Sequence, residues 1–480
     1  MNRGPLAAIL LASALVAAGC GARLDKRQLA DAAASGGRGL GAGSSSESGA
    51  NLAASEGQAG AGGAGNGGPG AGGGAGTAGG PAGRARSGVV SAKAPPGGNG
   101  GATDTGVTGD SITLGNVSLL TGPVPGLFQG AVRGTQAFFA YQNAQGGVYG
   151  RKLNLQVRDD GFDVNQNKAQ YQDMLGSAFA FVGSFSVVDD GGALVLAQHP
   201  DVPDVSQALG HNHFKLPNNF SIAPIAPGWR LGSLSYFKAK FGKDVVEHMA
   251  MFAEDAGEAK DAADGERKAA ESLGYKFVYS RVFEPTEANY SSDVVNMQGA
   301  GVKGIFMAGE VGAMVRMAKA MKQQGFSVPF ANWGGNAYDP TFVTADAAPA
   351  TNGSLLDLQL AMFAGEDAAT VPEVGLFLKW LKQVAPGQHP DLFAAYGWAS
   401  ARLFVQALAA AGPRATRAGL LAELKKIDDF DGNGMLAPAG PASKRPPTCF
   451  ITIKVTNGKF ARADPPTGFI CDPGGYLHLS

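Results

Sequence analysis

From residue 112 to 117 the chain alternates apolar and polar side chains, the two-residue period of a strand. Thr121-Gly122-Pro123 then breaks the pattern into a loop over the strand's carboxyl end. Ala131, Thr135, Phe138 and Phe139 repeat at helical spacing, which predicts a crossover helix with one apolar face. Gly146-Gly147 ends that helix, and residues 153–157 predict the next strand. Further apolar strands are predicted at 180–182, 202–205, 245–252, 275–283, 304–307, 328–333 and 355–359, with helices between them, including 311–323 and 397–411. Strands and helices in alternation imply an α/β fold with parallel sheets covered on both faces. One sheet holding every strand would be unusually wide, so two are expected.

The first unit also carries a resemblance. Thr121-Gly122-Pro123, Gly134, Asn143, Gly146-Gly147-Val148, Gly150-Arg151-Lys152-Leu153, Asp159-Asp160 and Asp163 fall in the order found at the start of the type I periplasmic binding proteins, leucine/isoleucine/valine-binding branch. Ala395-Tyr396-Gly397-Trp398-Ala399 and the segment opening at Phe430-Asp431-Gly432 resemble later landmarks of that family, so the likeness covers nearly everything after residue 106. It implies two doubly wound parallel-sheet lobes joined by three crossovers. On that basis 107–227 with 356–446 would form lobe 1, and 228–355 with 447–480 would form lobe 2.

Composition adds a leader and a tail. Of the 480 residues 73 are glycine, about twice the usual share, and much of the excess sits in residues 35–105. That stretch cannot bury enough apolar surface to offset its ordering entropy, so 20–106 reads as a disordered tether. A flexible chain of roughly seventy residues spans about 45 Å on average. Before it, Arg3 and the apolar run 6–18 read as a signal peptide ending at residue 19. Leu15-Val16-Ala17-Ala18-Gly19-Cys20 resembles the bacterial lipoprotein box, which implies lipidation of Cys20 and anchoring to the outer face of the membrane. The net charge of −1 and the lack of a basic block interleaved with aromatics point away from nucleic acid. Cys449 and Cys471 bracket an Asn457-Gly458 hairpin signal, and in an exported chain such a pair is expected to form a disulfide. A catalytic thiol would need a nearby His, which neither has in sequence.

In open parallel sheets, ligands bind outside the carboxyl ends of the strands, where helix amino termini offer free N–H groups. That rule nominates Ser184, Phe185, Ser186 and Asp189 after one strand, and Ser206, Gln207 and Ala208 after the next. The resemblance implies that these two loops hold an amino acid's α-carboxylate and α-ammonium, although Val187, Val188 and Asp189 partly replace the family's serine cluster. Helix capping by Asp189 or Ser206 is the competing role. On the other lobe Glu254 or Glu310 would supply the charge opposite an ammonium, and Trp333, Asn336 and Tyr338 a wall. Leu127 stands where the family has a tyrosine, with Phe128 beside it, so that side is expected to be more apolar than usual.

Asp429-Phe430-Asp431-Gly432-Asn433-Gly434 matches the opening of an EF-hand loop, but Gly440 occupies the twelfth position, where a bidentate glutamate belongs; a turn is expected instead. No Cys/His cluster suggests a metal, and no nucleophile–base motif or cofactor loop occurs, so binding without catalysis is expected. The expected protein is a monomeric solute-binding head that hands a small solute, a branched-chain or other amino acid, to an ABC permease by cleft closure. A sensor subunit of the same fold and a binder of an amide or small acid are the alternatives; a hydrolase is the remote one. Cys20→Ala should move the protein from the membrane to the soluble fraction, and equal membrane retention of the variant would remove the anchor from this picture.

Overall fold

The computed structural model describes residues 93–365, 367–471 and 475–479; the signal peptide, Cys20 and most of the glycine-rich stretch lie outside them. Strands β1 (Ser111–Ser118), β2 (Lys152–Asp159), β3 (Phe181–Val182) and β4 (Asp204–Val205) form a parallel sheet in the order β2-β1-β3-β4. Side chains alternate across it. Ile112 and Leu114 on one face join the cluster of Phe138, Phe139, Trp398 and Phe404. Val117 and Phe181 on the other meet Tyr171, Met174, Ala193 and Leu196. Helices α1 (Gln129–Ala144) and α2 (Val164–Met174) follow β1 and β2, and α3 (Asp190–Gln198) follows β3. The carboxylate of Asp163 caps α2 by accepting from the N–H groups of Asn165 and Gln166 at 2.7 and 2.9 Å.

The chain then builds a second sheet. Its strands β6 (Met249–Glu254), β7 (Phe277–Phe283), β8 (Gly304–Ala308), β9 (Phe330–Asn332) and β10 (Leu355–Leu358) are parallel. Ala250 and Phe252 face α6 (Ser291–Gly299) and α7 (Val311–Gln323), whereas Met249 and Met251 face α4 (Gly232–Phe241) and α5 (Gly257–Ser272). This sheet is not wholly parallel as expected. β11 (Ile451–Thr456) and β12 (Lys459–Asp464) extend it antiparallel beside β10, because the two-residue Asn457-Gly458 turn, with φ 52° and 70°, joins only antiparallel neighbours. Cys449 and Cys471, with Cα atoms 4.0 Å apart, are joined by a disulfide just outside the hairpin. A two-stranded ribbon pairs β5 (Gly228–Arg230) with β13 (Tyr476–His478). The expected strand at 245–252 starts only at Met249, since Lys243–Val246 is helical.

Helices α8 (Pro372–Val384), α9 (Leu392–Ala411) and α10 (Arg417–Leu424) return to the first sheet. The chain thus passes between the sheets three times: after β4, after β10 and after α10. Asp431-Gly432-Asn433-Gly434 lies on the last passage as a turn, with Asn433 N–H donating to the Asp431 carboxylate.

Three devices lock the first sheet. Helices α1 and α9 touch backbone to backbone: a Cβ on Gly134 would stand 1.9 Å from the Ala394 carbonyl oxygen, and one on Gly397 would stand 2.0 Å from that of Ala131. Buried Arg151 donates to the carbonyls of Asn99, Gly101, Thr108 and Pro413 at 2.6–2.8 Å. Asp104 accepts from Arg417 N–H, so residues 99–104, within the stretch expected as a tether to 106, are docked on the first sheet and α10. Finally, His213 is buried between two carboxylates, Nδ1 at 2.9 Å from Asp189 and Nε2 at 2.7 Å from Asp204. Burial opposes its charge, but the two carboxylates outweigh that and raise its pKa to about 10.

Gly134→Ala and Gly397→Ala should each cost about 1–3 kcal/mol in urea unfolding, since backbone and not a flexible side chain must give way. A raised histidine pKa adds stability that is whole below the unfolded value of 6.5 and is lost as pH climbs to about 10. The stability gap between wild type and His213→Gln should therefore be widest near the lower limit and narrow toward the upper one; a gap constant with pH would show that the ring is not charged.

Candidate solute-binding cleft

A cavity of about 460 Å³, a size suited to a small molecule, opens at the carboxyl ends of the parallel strands of both sheets. From the first sheet it receives the loops after β1, β3 and β4 and the start of α9. From the second it receives the ends of β6, β8, β9 and β10 and one side of α5. The β5–β13 ribbon contributes Trp229, Arg230 and Tyr476.

The first wall is aromatic. Phe128 packs tilted against Phe185 and edge-on against Phe393 with ring centroids 4.7 and 4.8 Å apart, Phe185 and Phe393 lie 5.3 Å apart, and Tyr396 borders Phe185. Leu119 and Ala131 back this group, with Leu127, Val187 and Leu209 at its edge. Such a surface gains by covering an apolar body and presents ring faces to a cation.

The second wall is acidic. Arg230 crosses to Asp357, donating from Nε at 3.1 Å and also from Nη2, and Asn332 donates to the other carboxylate oxygen at 3.0 Å. Burial penalises the Asp357 charge, yet the guanidinium outweighs it and holds that carboxyl below its ordinary range. Glu254 accepts from the N–H of Glu310 at 2.8 Å; burial raises its pKa. Burial likewise pushes Glu258 up to about 7, helped by the charges of Glu254 and Asp189. It pushes Glu266 to about 8, with Asp357 adding to the rise and Arg230 opposing it.

Of the residues expected on the cleft, Leu127, Phe128, Phe185, Gln207, Glu254, Glu310, Trp333 and Asn336 line it. Several of these are already committed. The Gln207 amide is tied to Ala223, Asn336 donates to the Gly309 carbonyl, and the Trp333 indole N–H donates to Ser354 Oγ at 2.8 Å. Glu310, expected as an ammonium's counter-charge, caps α7 by accepting from Gly312 and Ala313 and pairs with Arg316 at 3.0 Å.

Six expected residues turn away from the cavity, and for Ser184, Ser186 and Asp189 the reason is shared: backbone and charge at the buried strand ends need partners. Ser184 Oγ accepts from Val117 N–H and Ser186 Oγ from Val188 N–H. Asp189 accepts from the N–H groups of Leu209 and Gly210 and holds His213; it makes no side-chain cap on α3. Ser206 is wholly buried, its carbonyl accepting from Asn219 and Ser221, and Ala208 N–H donates to Ser221 Oγ. Tyr338 packs on Phe363 and Phe460 and its hydroxyl accepts from Ala364 N–H.

Sequence reasoning passed over Arg230, Asp357, Glu258, Glu266, Phe393 and Tyr396. Arg230 and Asp357 stand 127 positions apart, and nothing local joins them. Glu266 did leave a signal, an acidic residue in phase with the buried stripe Ala263, Ala269 and Ala270.

A family model described as periplasmic binding protein matches residues 111–459. The chain is 24% identical over 314 residues to the Leu/Ile/Val-binding protein homolog 2 of Brucella abortus, covering 63% of this chain and 79% of that protein. Its fold is similar to that of a fatty acid ABC transporter substrate-binding protein from Thermomonospora curvata, with TM-score 0.64 and 18% identity over 80% of this chain and 97% of the other. It is similar also to a branched chain amino acid ABC transporter protein from Thermus thermophilus with bound valine, with TM-score 0.63 and 15% identity over 78% and 98% of the two chains. With the greater part of its length matched, this chain belongs to the periplasmic binding protein family.

Proposed function

We propose that the protein is an exported solute-binding protein, tethered through Cys20, that captures a small solute with an apolar body and presents it to an ABC permease. The observation that carries this reading is the cavity shared by two sheets: neither set of strand-end loops encloses it alone. The proposed lobes, 107–227 with 356–446 and 228–355 with 447–480, would hinge at the three passages of the chain, with the second boundary moved past Leu358 because β10 belongs to the second sheet. A solute touching both walls binds the closed arrangement more tightly than the open one, so it shifts the population toward closure by that difference. A permease then reads the closed shape. The aromatic wall accommodates a branched aliphatic side chain, and equally an acyl chain such as the relative from Thermomonospora curvata is named for.

Trp229 and Trp333 line the cavity and report on it. Titration with a panel of branched-chain amino acids, amides, short acids, fatty acids and amines should produce a tryptophan fluorescence change and a smaller radius of gyration for the true solute. That solute at a hundredfold excess over its Kd should stabilise the fold by about 2.7 kcal/mol. A solute that binds with no compaction in scattering would remove the closure mechanism.

A further inference from the structure

The basic groups on the cavity wall, among the described residues, are His211, Arg230 and Lys268, and each already faces an acid: Asp261 at 3.9 Å, Asp357 at 3.1 Å from Nε, and Asp264 at 2.6 Å. No cation on the wall is left for a ligand's carboxylate. The serine hydroxyls that would replace it are turned inward, as described above. On the acidic side the balance is reversed. Glu254, Glu258 and Glu266 line the cavity, and among the described residues none of them has an ion-pair partner within salt-bridge distance. Glu266 is the extreme case: 8% exposed, on the cavity, with neither a hydrogen bond nor a salt bridge among the described residues.

A buried carboxylate without a counter-ion is costly, and the cost is relieved by a cation brought in from outside. Among the described residues no group of three or more His, Cys, Asp or Glu could hold a metal ion. The opposite wall is the Phe128, Phe185, Phe393 and Tyr396 cluster, which takes hydrocarbon and cationic heads together.

Resting on the solute-binding reading, we infer that the cleft selects an organic cation: a primary to quaternary amine with an apolar body and no carboxylate, its charged head against Glu266 and its body on the aromatic wall, with Glu258 about two turns away on the same helix adding to the field. An amino acid is disfavoured because its carboxylate would meet Glu254, Glu258 and Glu266 with no free cation on the wall to balance it. A fatty acid is disfavoured for the same reason.

The test is calorimetric titration of the whole head with matched six-carbon probes: hexylammonium and hexyltrimethylammonium as cations, hexanoate as the anion, hexanamide as the neutral form, with leucine as the zwitterion. The cations should bind at least tenfold more tightly than hexanoate, hexanamide or leucine. Glu266→Gln should weaken cation binding tenfold or more and Glu258→Gln by less, while Glu271→Gln, on the exposed side of the same helix, should not. Affinity for the quaternary probe should rise with pH from below about 7 to above about 8, as Glu258 and Glu266 lose their protons. The groups facing them are Glu254, Asp189 and Asp261 for Glu258, and Asp357, Arg230 and Tyr275 for Glu266; the rise should flatten in Glu266→Gln.

Leucine or hexanoate binding as tightly as the cations would overturn the inference and leave solute binding standing. Failure of every cation to bind would overturn it too. So would cation affinity that is insensitive to both glutamine variants, provided the variants melt like wild type.

Discussion

Charge taken out of water must be matched, and this requirement organises the protein from its first ordered residues to its cleft. Arg151 meets it with four backbone carbonyls and so draws residues 99–101 onto the first sheet. His213 meets it with Asp189 and Asp204, which joins the loop after β3 to the strand β4. Arg230 meets it with Asp357, fastening the β5–β13 ribbon to the second sheet at the cleft. Glu266 is the case where the protein itself supplies no match. A site that binds by electrostatics has to leave such a vacancy, because a fully compensated wall has nothing to offer a charged guest.

The cleft's position follows from the sheets and its surface from what the strand ends require. Parallel strands deliver their following loops to one edge, and two such edges facing a common space make a cavity without any dedicated element. The same edges carry backbone N–H groups that need acceptors. Ser184, Ser186 and Asp189 are consumed in that role, so the strand-end loops of the first sheet offer the solute space mainly apolar groups such as Phe128 and Phe185, and α5, the amino end of α9 and the ribbon add the rest. The close contact of α1 with α9 through Gly134 and Gly397 brings Phe393 and Tyr396 beside Phe128. Two glycines that look like family landmarks in the sequence thus set the spacing of the aromatic wall.

Much of this was legible beforehand, for physical reasons tied to short range. The apolar spacing of Ala131, Thr135, Phe138 and Phe139 specifies a buried helix face wherever that helix packs, and all four are buried. Asn457-Gly458 specifies a hairpin because its left-handed dihedrals suit few other pairs. The helix at Val311–Gln323 follows from its apolar stripe. Serines after a strand, by contrast, have two equally good uses: accepting a strand-end N–H or meeting a ligand. Spacing cannot choose between them.

By itself the sequence determined the alternation of strands and helices, the two-sheet α/β class, the family landmarks and the hairpin, because each depends on residues within a turn or a strand of one another. Tertiary structure alone decided which carboxylates are matched. Arg230 finds Asp357 across 127 positions, and Asp189 finds His213 across a loop. Glu266 finds no hydrogen-bond or ion-pair partner among the described residues, only the more distant charge of Arg230. Charge compensation acts through space with no fixed spacing along the chain, so the character of the cleft emerges only when the sheets have brought distant residues together.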